Sequence, residues 1–339
     1  MQVMAGAAHG GAEAFFERHV VAMHEAGIEQ LAVIRRDAGR AARLRAGGVT
    51  VHEARFGGFF DIFTKPEIAG LGQRYKPDVV LTWMNRATAK TPRGDYVLCA
   101  RLGGYYDLKY YRHCDHLIGN TPGIHRYLLE QGWAPERAHY LPNFADEASV
   151  APAPREALDT PDGAPLIFAL GRLHTVKGFD ILLTALADVP DAILWLAGEG
   201  PEDAALKAHA KSAGVADRVR FLGWRDDGAS LMAAADIMVC PSRHEPLGNV
   251  VLEAWARNVP VISTRSAGPG EMIEDGENGV LVDIDDADTM AREINRLIAD
   301  AAVRRDIGEA GGRALQQRFS KDAVVARYLE FFETVVGQA

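Results

Sequence analysis

Residues 237–253 read IMVCPSRHEPLGNVVLE. An apolar run ends at Cys240, a loop with Pro241 and Pro246 follows, and the apolar residues from Val250 onward predict a helix that begins near Gly248. A strand that passes through a short loop into a helix is the repeating unit of a parallel α/β sheet. This stretch therefore favours an α/β fold, and the same alternation continues on both sides of it.

Short β-branched runs alternate with longer amphipathic stretches along the chain. The strands predicted before residue 150 span residues 2–5, 31–34, 49–52, 79–83, 96–100, 116–119 and 139–141. Those predicted after it span residues 166–170, 193–197, 219–222, 237–240, 259–263 and 279–282. We expect a helix between Gly11 and Gly27, and helical structure from Asp285 to the end with a break at residues 308–312. Two doubly wound parallel sheets account for this order.

The chain of 339 residues is long enough for two domains. We predict an N-terminal domain over residues 1–147, a linker over residues 148–165 and a C-terminal domain over residues 166–319. Pro152, Pro154, Pro161 and Pro165 indicate the linker, because a stretch so rich in proline cannot continue a helix. Since ligands bind beyond the carboxyl ends of strands in such sheets, functional residues are expected in the loops that follow strands.

Composition and charge exclude several classes of protein. The 37 Lys and Arg residues against 46 Asp and Glu give a net charge of −9, which disfavours binding to nucleic acid. Cys99, Cys114 and Cys240 form no C-x-x-C pair, which argues against a zinc ribbon or a disulfide framework and favours the reducing cytoplasm. The sequence lacks the apolar run of a membrane-spanning helix and the regions of a signal peptide, so any membrane contact is expected to be peripheral.

Two carboxylates are expected to flank one anion site at the helix that begins near Gly248. The free N–H groups of a helix entrance attract a phosphate. Glu253 lies about one turn inside this helix, and helical side chains lean towards the N-terminus, so its carboxylate can reach the same rim as Glu245. Carboxylates beside a phosphate indicate a sugar ligand, whose hydroxyls donate to them. Alternatively, Glu253 is a first-turn acid favoured by the helix dipole and Glu245 is a solvated loop residue.

The loop after the strand 166–170 reads GRLHTVKG over residues 171–178. Gly171 permits the backbone to approach a ligand closely, and Arg172 and Lys177 supply two cations that can stabilise a diphosphate leaving group without a metal. The alternative is a surface turn with solvated cations. The loop does not match a Walker A sequence, and residues 198–201 (GEGP) do not continue into the dinucleotide fingerprint, so binding of NAD is not supported.

The order of these motifs resembles glycosyltransferase family 4, the group 1 retaining glycosyltransferases. The segments that carry the resemblance are Gly171-Arg172…Lys177-Gly178, Gly198-Glu199-Gly200-Pro201, Phe221-Leu222-Gly223, Pro241-Ser242…Glu245…Glu253 and Gly268-Pro269…Glu271-Met272-Ile273…Gly276…Gly279. They lie within residues 166–282, and looser matches occur at residues 10–13 and 140–146. The resemblance implies a GT-B architecture, with two Rossmann-like domains facing across a cleft and the helix of residues 320–339 packing back on the first.

The resemblance also implies roles for residues of this chain. Arg172 and Lys177 would hold the diphosphate and Glu245 the hydroxyls of the transferred sugar, which makes these three the candidate catalytic residues. Glu253 would bind the ribose of the nucleotide. The other expected donor-binding residues are Gly10, Gly11, Gly171, Gly198, Gly223, Gly248, Asn249 and Val250. The donor is expected to be a nucleoside-diphosphate sugar, with UDP or GDP rather than ADP, and no cofactor is expected.

The sequence departs from the family on the side that would bind the acceptor. Many relatives have a histidine after the fifth strand of the first domain, whereas residues 99–106 of this chain read CARLGGYY. Arg101 or a backbone carbonyl of Gly103 is a candidate substitute for this histidine. His9, Arg101 and Tyr105 are candidate acceptor contacts. Two alternative functions stay open, a nucleotide-sugar epimerase of similar fold and a non-catalytic nucleotide-sugar-binding protein.

Metal use is not expected. Residues 283–286 (DIDD) contain the D-x-D pattern of metal-using transferases. They follow the last predicted strand, far in sequence from the other motifs, and therefore indicate an exposed acidic loop.

Charged and aromatic residues of the first domain bear on the acceptor. Arg36, Arg40 and Arg43 share one face of a predicted helix, which is either solvated surface or a contact for anionic lipid or a phosphorylated saccharide. The aromatic group Phe56, Phe59, Phe60 and Phe63 predicts either core packing or an acceptor wall. The expected acceptor is a saccharide or glycolipid such as a lipopolysaccharide core, reached at the inner face of the membrane. The oligomeric state is left open.

Overall fold

The computed structural model describes residues 1–7, 10–57 and 61–338. The chain forms two compact units. The first contains Met1–Phe144 and the last helix, which starts at Lys321, and the second contains Ala145–Ser320.

The first unit contains a parallel sheet of seven strands. Its strands are β1 (Gln2–Met4), β2 (Leu31–Arg35), β3 (Thr50–Ala54), β4 (Val79–Trp83), β5 (Val97–Leu102), β6 (His116–Gly119) and β7 (Ala138–Tyr140). Its helices are α1 (Gly11–Glu25), α2 (Ala38–Ala46), α3 (Thr64–Tyr75), α4 (Met84–Lys90) and α5 (Pro122–Glu130). The strand order is β3-β2-β1-β4-β5-β6-β7, so β2 and β3 lie on one side of β1 and the later strands lie on the other. The order therefore reverses between β1 and β4.

The second unit contains a parallel sheet of six strands in the order β10-β9-β8-β11-β12-β13. Its strands are β8 (Leu166–Leu170), β9 (Ile193–Ala197), β10 (Val219–Gly223), β11 (Ile237–Cys240), β12 (Val261–Thr264) and β13 (Val280–Val282). Its helices are α6 (Phe179–Leu186), α7 (Asp203–Ser212), α8 (Gly228–Ala234), α9 (Asn249–Trp255), α10 (Ala267–Met272), α11 (Ala287–Ala299) and α12 (Ala301–Arg318). Here the order reverses between β8 and β11, and the predicted α/β class with two parallel sheets is confirmed.

Central strands are buried on both faces, which explains their continuous apolar sequences. All residues of β5 and of β9 are buried, as expected for parallel strands covered by helices on both sides. The last helix, α13 (Lys321–Gly337), buries Val324, Tyr328 and Phe331 in the same core cluster as Phe15 and Trp83. Helix α13 thus completes the core of the first unit.

The proline-rich stretch of residues 148–165 lies within the second unit. The amide of Ala153 donates to the carbonyl of Ser230 at 2.9 Å, and the guanidinium of Arg155 donates to Asp236 at 3.0 Å. Proline prevents helix here, but the side chains and amides of the stretch still pack on the surface of the second unit.

The break predicted at residues 308–312 is wrong, because α12 runs through them without interruption. The chain instead leaves the helical conformation at Asp300, whose carboxylate accepts the amides of the first turn of α12, and again before α13. The glycines instead allow α12 to pack closely against neighbouring residues. A Cβ at Gly308 would lie 2.1 Å from the carbonyl oxygen of Asn258, and one at Gly311 would lie 2.3 Å from the Trp255 ring.

The predicted arginine face on the first unit is not formed. Helix α2 begins at Ala38, so Arg36 lies outside it. Arg40 is only 1% exposed, contacts Glu17 at 3.0 Å and donates to the carbonyl of Ala7 at 2.7 Å. Arg43 pairs with the same Glu17 carboxylate at 2.6 Å. Arg40 in the interior and Arg43 at the surface, 60% exposed, therefore share one carboxylate, because Glu17 of α1 faces α2.

The predicted aromatic group is divided. Phe56 is buried in the core, whereas Phe63 is 58% exposed. Phe59 and Phe60 lie outside the described residues. Within the described parts of the chain, no helix combines the length and the apolar character needed to cross a membrane.

Candidate active site

The candidate site of the second unit lies at the carboxyl ends of β8 and β11. These two strands are neighbours, and the strand order reverses between them. The loops that leave neighbouring strands in opposite directions at such a point open a crevice, which is where open α/β sheets bind ligands. The two loops are residues 171–178 and 241–248, the two segments in which the sequence predicted a site.

Backbone contacts hold the two loops together. The amides of Arg243 and His244 both donate to the carbonyl of Val176, at 2.8 and 3.2 Å. Gly178 has a φ of +65°, and a Cβ at this position would lie 2.0 Å from the carbonyl oxygen of Pro241. Glycine is therefore required here, because any side chain would drive the loops apart.

Lys177 and Glu245 meet in this crevice. The ammonium of Lys177 donates to Oε2 of Glu245, and the amide of Gly248 donates to Oε1 of the same carboxylate at 3.2 Å. The Lys177 side chain is 24% exposed and that of Glu245 is 12% exposed. Burial lowers the pKa of Lys177, but the charge of Glu245 more than offsets this effect and leaves the pKa raised. Lys177 is thus a cation at neutral pH.

Arg243 was not singled out by the sequence, although it joins three elements. Its guanidinium donates to both carboxylate oxygens of Asp180 at 2.8 and 2.6 Å, to Asp285 at 2.6 Å and to the carbonyl of Thr175 at 2.8 Å. The hydrogen bonds to Asp180 raise the pKa of Arg243. The only sequence signal was a cation two residues before Glu245, because its partners are distant along the chain.

Each acid of the D-x-D segment has a protein partner. Asp285 pairs with Arg243, and Asp283 lies 3.6 Å from Arg265. Asp286 accepts the amide of Thr289 at 2.9 Å and caps α11. These contacts give the segment a structural function.

The predicted donor-binding glycines lie side by side at the ends of β8, β9 and β10. The amide of Gly171 donates to the carbonyl of Ala197 at 3.0 Å, and that of Gly198 donates to the carbonyl of Gly223 at 2.8 Å. A Cβ at Gly198 would lie 1.8 Å from the carbonyl oxygen of Gly171. Close backbone packing thus explains Gly198. Arg172 projects from the same edge, is exposed, and has no ion pair within the described chain.

The helix expected near Gly248 is α9, which begins at Asn249 and continues with Val250. Glu253 lies about one turn inside α9 and is half-buried. Trp224 is a further candidate site residue that the sequence did not single out. It follows β10 directly and is 49% exposed. The signal available for it was a large aromatic side chain immediately after the Gly223 motif.

Candidate residues of the first unit are not all at the surface. Gly10 and Gly11 form the N-terminus of α1, and the Glu13 carboxylate beneath them accepts the amide of Ala7 at 2.8 Å. Tyr105 is 43% exposed, and its ring contacts that of Tyr127 with centroids 5.5 Å apart. His9 lies outside the described residues.

The prediction that Arg101 contacts the acceptor requires a correction, because this residue is only 3% exposed. Its guanidinium donates to the hydroxyl of Tyr328 at 2.9 Å and to the side chain of Asn143. It also lies 4.8 Å from the Phe15 ring and 4.7 Å from the Trp83 ring. This environment does not favour the direct acceptor contact predicted for Arg101, since β5 directs the side chain into the core.

Comparisons with known proteins show the family of this chain. Residues 151–313 match the family of glycosyl transferases group 1. The chain is 40% identical to lipopolysaccharide core biosynthesis glycosyltransferase LpsE of Rhizobium meliloti (strain 1021), over 95% of this chain and 95% of the relative. It is 34% identical to LpsD of the same strain, over 97% of this chain and 96% of the relative.

Solved structures show the same fold. The structure of Anabaena Alr3699/HepE in complex with UDP and glucose has a TM-score of 0.84 at 22% identity, covering 98% of this chain and 99% of that one. WaaG, a glycosyltransferase involved in lipopolysaccharide biosynthesis, has a TM-score of 0.74 at 17% identity, covering 97% and 98%. The predicted GT-B fold is confirmed, and the chain belongs to the group 1 family of glycosyltransferases.

Proposed function

We propose that this protein transfers a hexose-type sugar from a nucleoside-diphosphate sugar to a saccharide or glycolipid acceptor in the assembly of a lipopolysaccharide core. The observation that carries the proposal is the Lys177–Glu245 pair at the point where the strand order reverses. A cation and a carboxylate in one crevice suit a ligand with a diphosphate at one end and hydroxyls at the other. The names of the relatives LpsE and LpsD support the acceptor class.

The proposed reaction retains the anomeric configuration. The bond between the anomeric carbon and the diphosphate oxygen breaks, a bond from the acceptor oxygen to the same carbon forms, and the acceptor proton passes to the leaving phosphate. Lys177 and Arg172 stabilise the negative charge that develops on the diphosphate. Glu245 accepts hydrogen bonds from sugar hydroxyls and orients the donor.

The donor site is proposed to work without a metal ion, since Lys177 and Arg172 offer cationic groups in place of one. UDP or GDP is the proposed nucleoside diphosphate. The neighbour in complex with UDP and glucose supports UDP. Activity is expected to persist in excess chelator, and complete loss with rescue by Mg²⁺ or Mn²⁺ would contradict this part of the proposal.

The decisive experiment is to measure nucleoside-diphosphate release from a panel of UDP-, GDP- and ADP-sugars in the presence of saccharide acceptors. One donor is expected to be consumed, with the new linkage in the donor's own anomeric configuration by NMR. Glu245→Gln should lower turnover strongly while leaving the fold intact by circular dichroism. Isomerised free sugar without nucleotide release would favour an epimerase, and donor binding without any turnover would favour a sensor.

A cytoplasmic site of action is also proposed. Cys99, Cys114 and Cys240 are buried free thiols, as is usual in a reducing compartment. Peripheral contact with the inner face of the membrane is the proposed route to a glycolipid, but Arg40 and Arg43 do not support it, because Glu17 pairs with both.

A further inference from the structure

A second crevice lies in the first unit, at the other point where a strand order reverses. A cavity of about 340 Å³ opens at the carboxyl ends of β1, β2 and β4. We call it the switch-point pocket. The side chains used below are those of Arg35, Met84, Asn85, Arg86 and Tyr106. By the rule for open α/β sheets, this is where the first unit is expected to bind a ligand.

The pocket is lined by hydrogen-bond donors and cations. Arg35 is the last residue of β2, and Arg86 lies in the first turn of α4. Both are exposed, and within the described chain neither has an ion pair. Among the described residues that line the pocket none is acidic. Glu13, in the first turn of α1, is an acid close to the pocket, since a Cβ at Gly6 would lie 2.7 Å from its side chain. Its Oε1 already accepts the amide of Ala7 at 2.8 Å.

The polar side chains between the arginines are also oriented as donors. The buried hydroxyl of Tyr111 donates to Oδ1 of Asn85, which leaves the amide nitrogen of Asn85 to donate elsewhere. Burial raises the pKa of the Tyr106 hydroxyl, which therefore keeps its proton at neutral pH. A ligand group that only accepts hydrogen bonds fits this set.

Backbone strain and a buried charge point to the same place. Met84 has a φ of +63°, an unfavourable conformation for a bulky side chain, and this turn places Asn85 and Arg86 at the pocket. Burial raises the pKa of Tyr106, which lines the pocket, and the charge of Arg101 opposes this effect, so Arg101 lies near the pocket. Within the described chain no carboxylate pairs with Arg101, which is buried. A buried cation without a counter-ion favours an anion nearby.

We propose that the switch-point pocket binds an anionic substituent, a phosphate or a carboxylate, of the acceptor saccharide, with Arg35 and Arg86 as its direct ligands. This inference rests on the proposed glycosyl transfer, because the bound saccharide is an acceptor only in that reaction. It predicts that the acceptor carries a negative charge, a property on which the donor site gives no information. The anion pairs with the two guanidinium groups and accepts from Asn85 and Tyr106, while the partly exposed Met84 packs against the sugar ring.

The test is a titration of the full chain with glucose 6-phosphate, glucuronate and glucose, followed by ligand-observed NMR. We expect at least one anionic sugar to bind about tenfold or more tightly than glucose, since charge-assisted hydrogen bonds are the stronger ones. The double change Arg35→Gln with Arg86→Gln should remove this preference. Preference for glucose 6-phosphate identifies a phosphate, and preference for glucuronate identifies a carboxylate.

The control is Arg36→Gln, which removes one guanidinium charge one residue outside the pocket and should leave the preference unchanged. The inference is overturned if no anionic sugar binds more tightly than glucose, or if Arg36→Gln weakens binding as much as the double variant. UDP is titrated in parallel. Wild-type protein that binds anionic sugars but neither UDP nor any nucleotide sugar would refute the proposed function and leave this inference standing.

Discussion

Lys177 and Glu245 are 68 residues apart in the chain and form one ion pair. Each neutralises the other, and under the proposed function a diphosphate would compete with Glu245 for the ammonium group. A cation held in this way is already positioned, so little side-chain entropy would be lost on binding of the proposed donor. Arg172 is exposed and would lose more side-chain entropy in the same contact.

Removing these cations tests the site at the residue scale. Lys177→Ala and Arg172→Ala should each lower the turnover number about tenfold or more, because about 1.4 kcal/mol of lost transition-state stabilisation slows a reaction tenfold. The measurement is steady-state release of nucleoside diphosphate. Lys207→Ala is the control, since Lys207 pairs with Asp203 on the surface of α7. Undiminished turnover in the Lys177 and Arg172 double variant would refute the site.

At the scale of elements, Arg243 connects the loop that carries Glu245 with the loop that carries Lys177. It holds the carbonyl of Thr175 and the side chain of Asp180 at the start of α6. Burial raises the pKa of Asp180, but the hydrogen bonds from Arg243 outweigh this effect and lower it. Both partners therefore keep their charges near neutral pH, and the two loops stay joined.

We expect Arg243 to be a positioning residue, so its replacement should alter catalysis more than stability. Arg243→Ala is expected to raise the KM for the donor and to lower kcat, whereas Arg243→Lys should recover part of both because it keeps the charge but loses the bidentate contact. Arg45→Ala is the control, since it removes an arginine ion pair, with Glu53, in the first unit. Equal kinetic effects at positions 243 and 45 would argue against a positioning role.

Close packing of α12 against α9 gives a second prediction for an element. Gly308→Ala should lower the free energy of unfolding by about 1–3 kcal/mol, because the new methyl group would overlap the carbonyl of Asn258. Denaturant unfolding measures the change. Gly70→Ala in α3 is the control, since a Cβ there meets nothing within 4 Å, and it should be neutral or stabilising. Equal effects at the two positions would contradict the packing explanation.

For the molecule as a whole, we expect His19 to make stability depend on pH. It is fully buried beside Tyr328 and Trp83, and within the described chain neither ring nitrogen has a hydrogen-bond partner. Burial, assisted by the charge of Arg101, lowers its pKa to about 3. The unfolded chain therefore binds a proton at His19 below pH of about 6.5 that the folded chain does not bind.

Above this pH, protonation of His19 should not affect the free energy of unfolding. As the pH decreases towards 3, this one group should lower the free energy of unfolding by up to about 1.4 kcal/mol per pH unit. Unfolding of wild type and of His19→Phe at pH 7 and pH 5 measures the effect. The variant should lose less stability between the two values than wild type does. If both proteins lose the same amount, His19 is not the titrating group.

The sequence by itself determined the alternation of strands and helices, because apolar periodicity and glycine-containing turns are local properties. The predicted strands 79–83 and 193–197 coincide with β4 and β9. It also determined which loops carry Lys177 and Glu245, since a loop after a parallel strand has only one edge of the sheet to occupy. Only the tertiary structure decided that Arg101 and Arg40 are buried, that Arg243 joins two loops and that the glycines of α12 receive Asn258 and Trp255. These contacts are made with residues far away in the chain. A contact between two distant residues produces no periodic pattern in the sequence of either segment, so the sequence could not predict it.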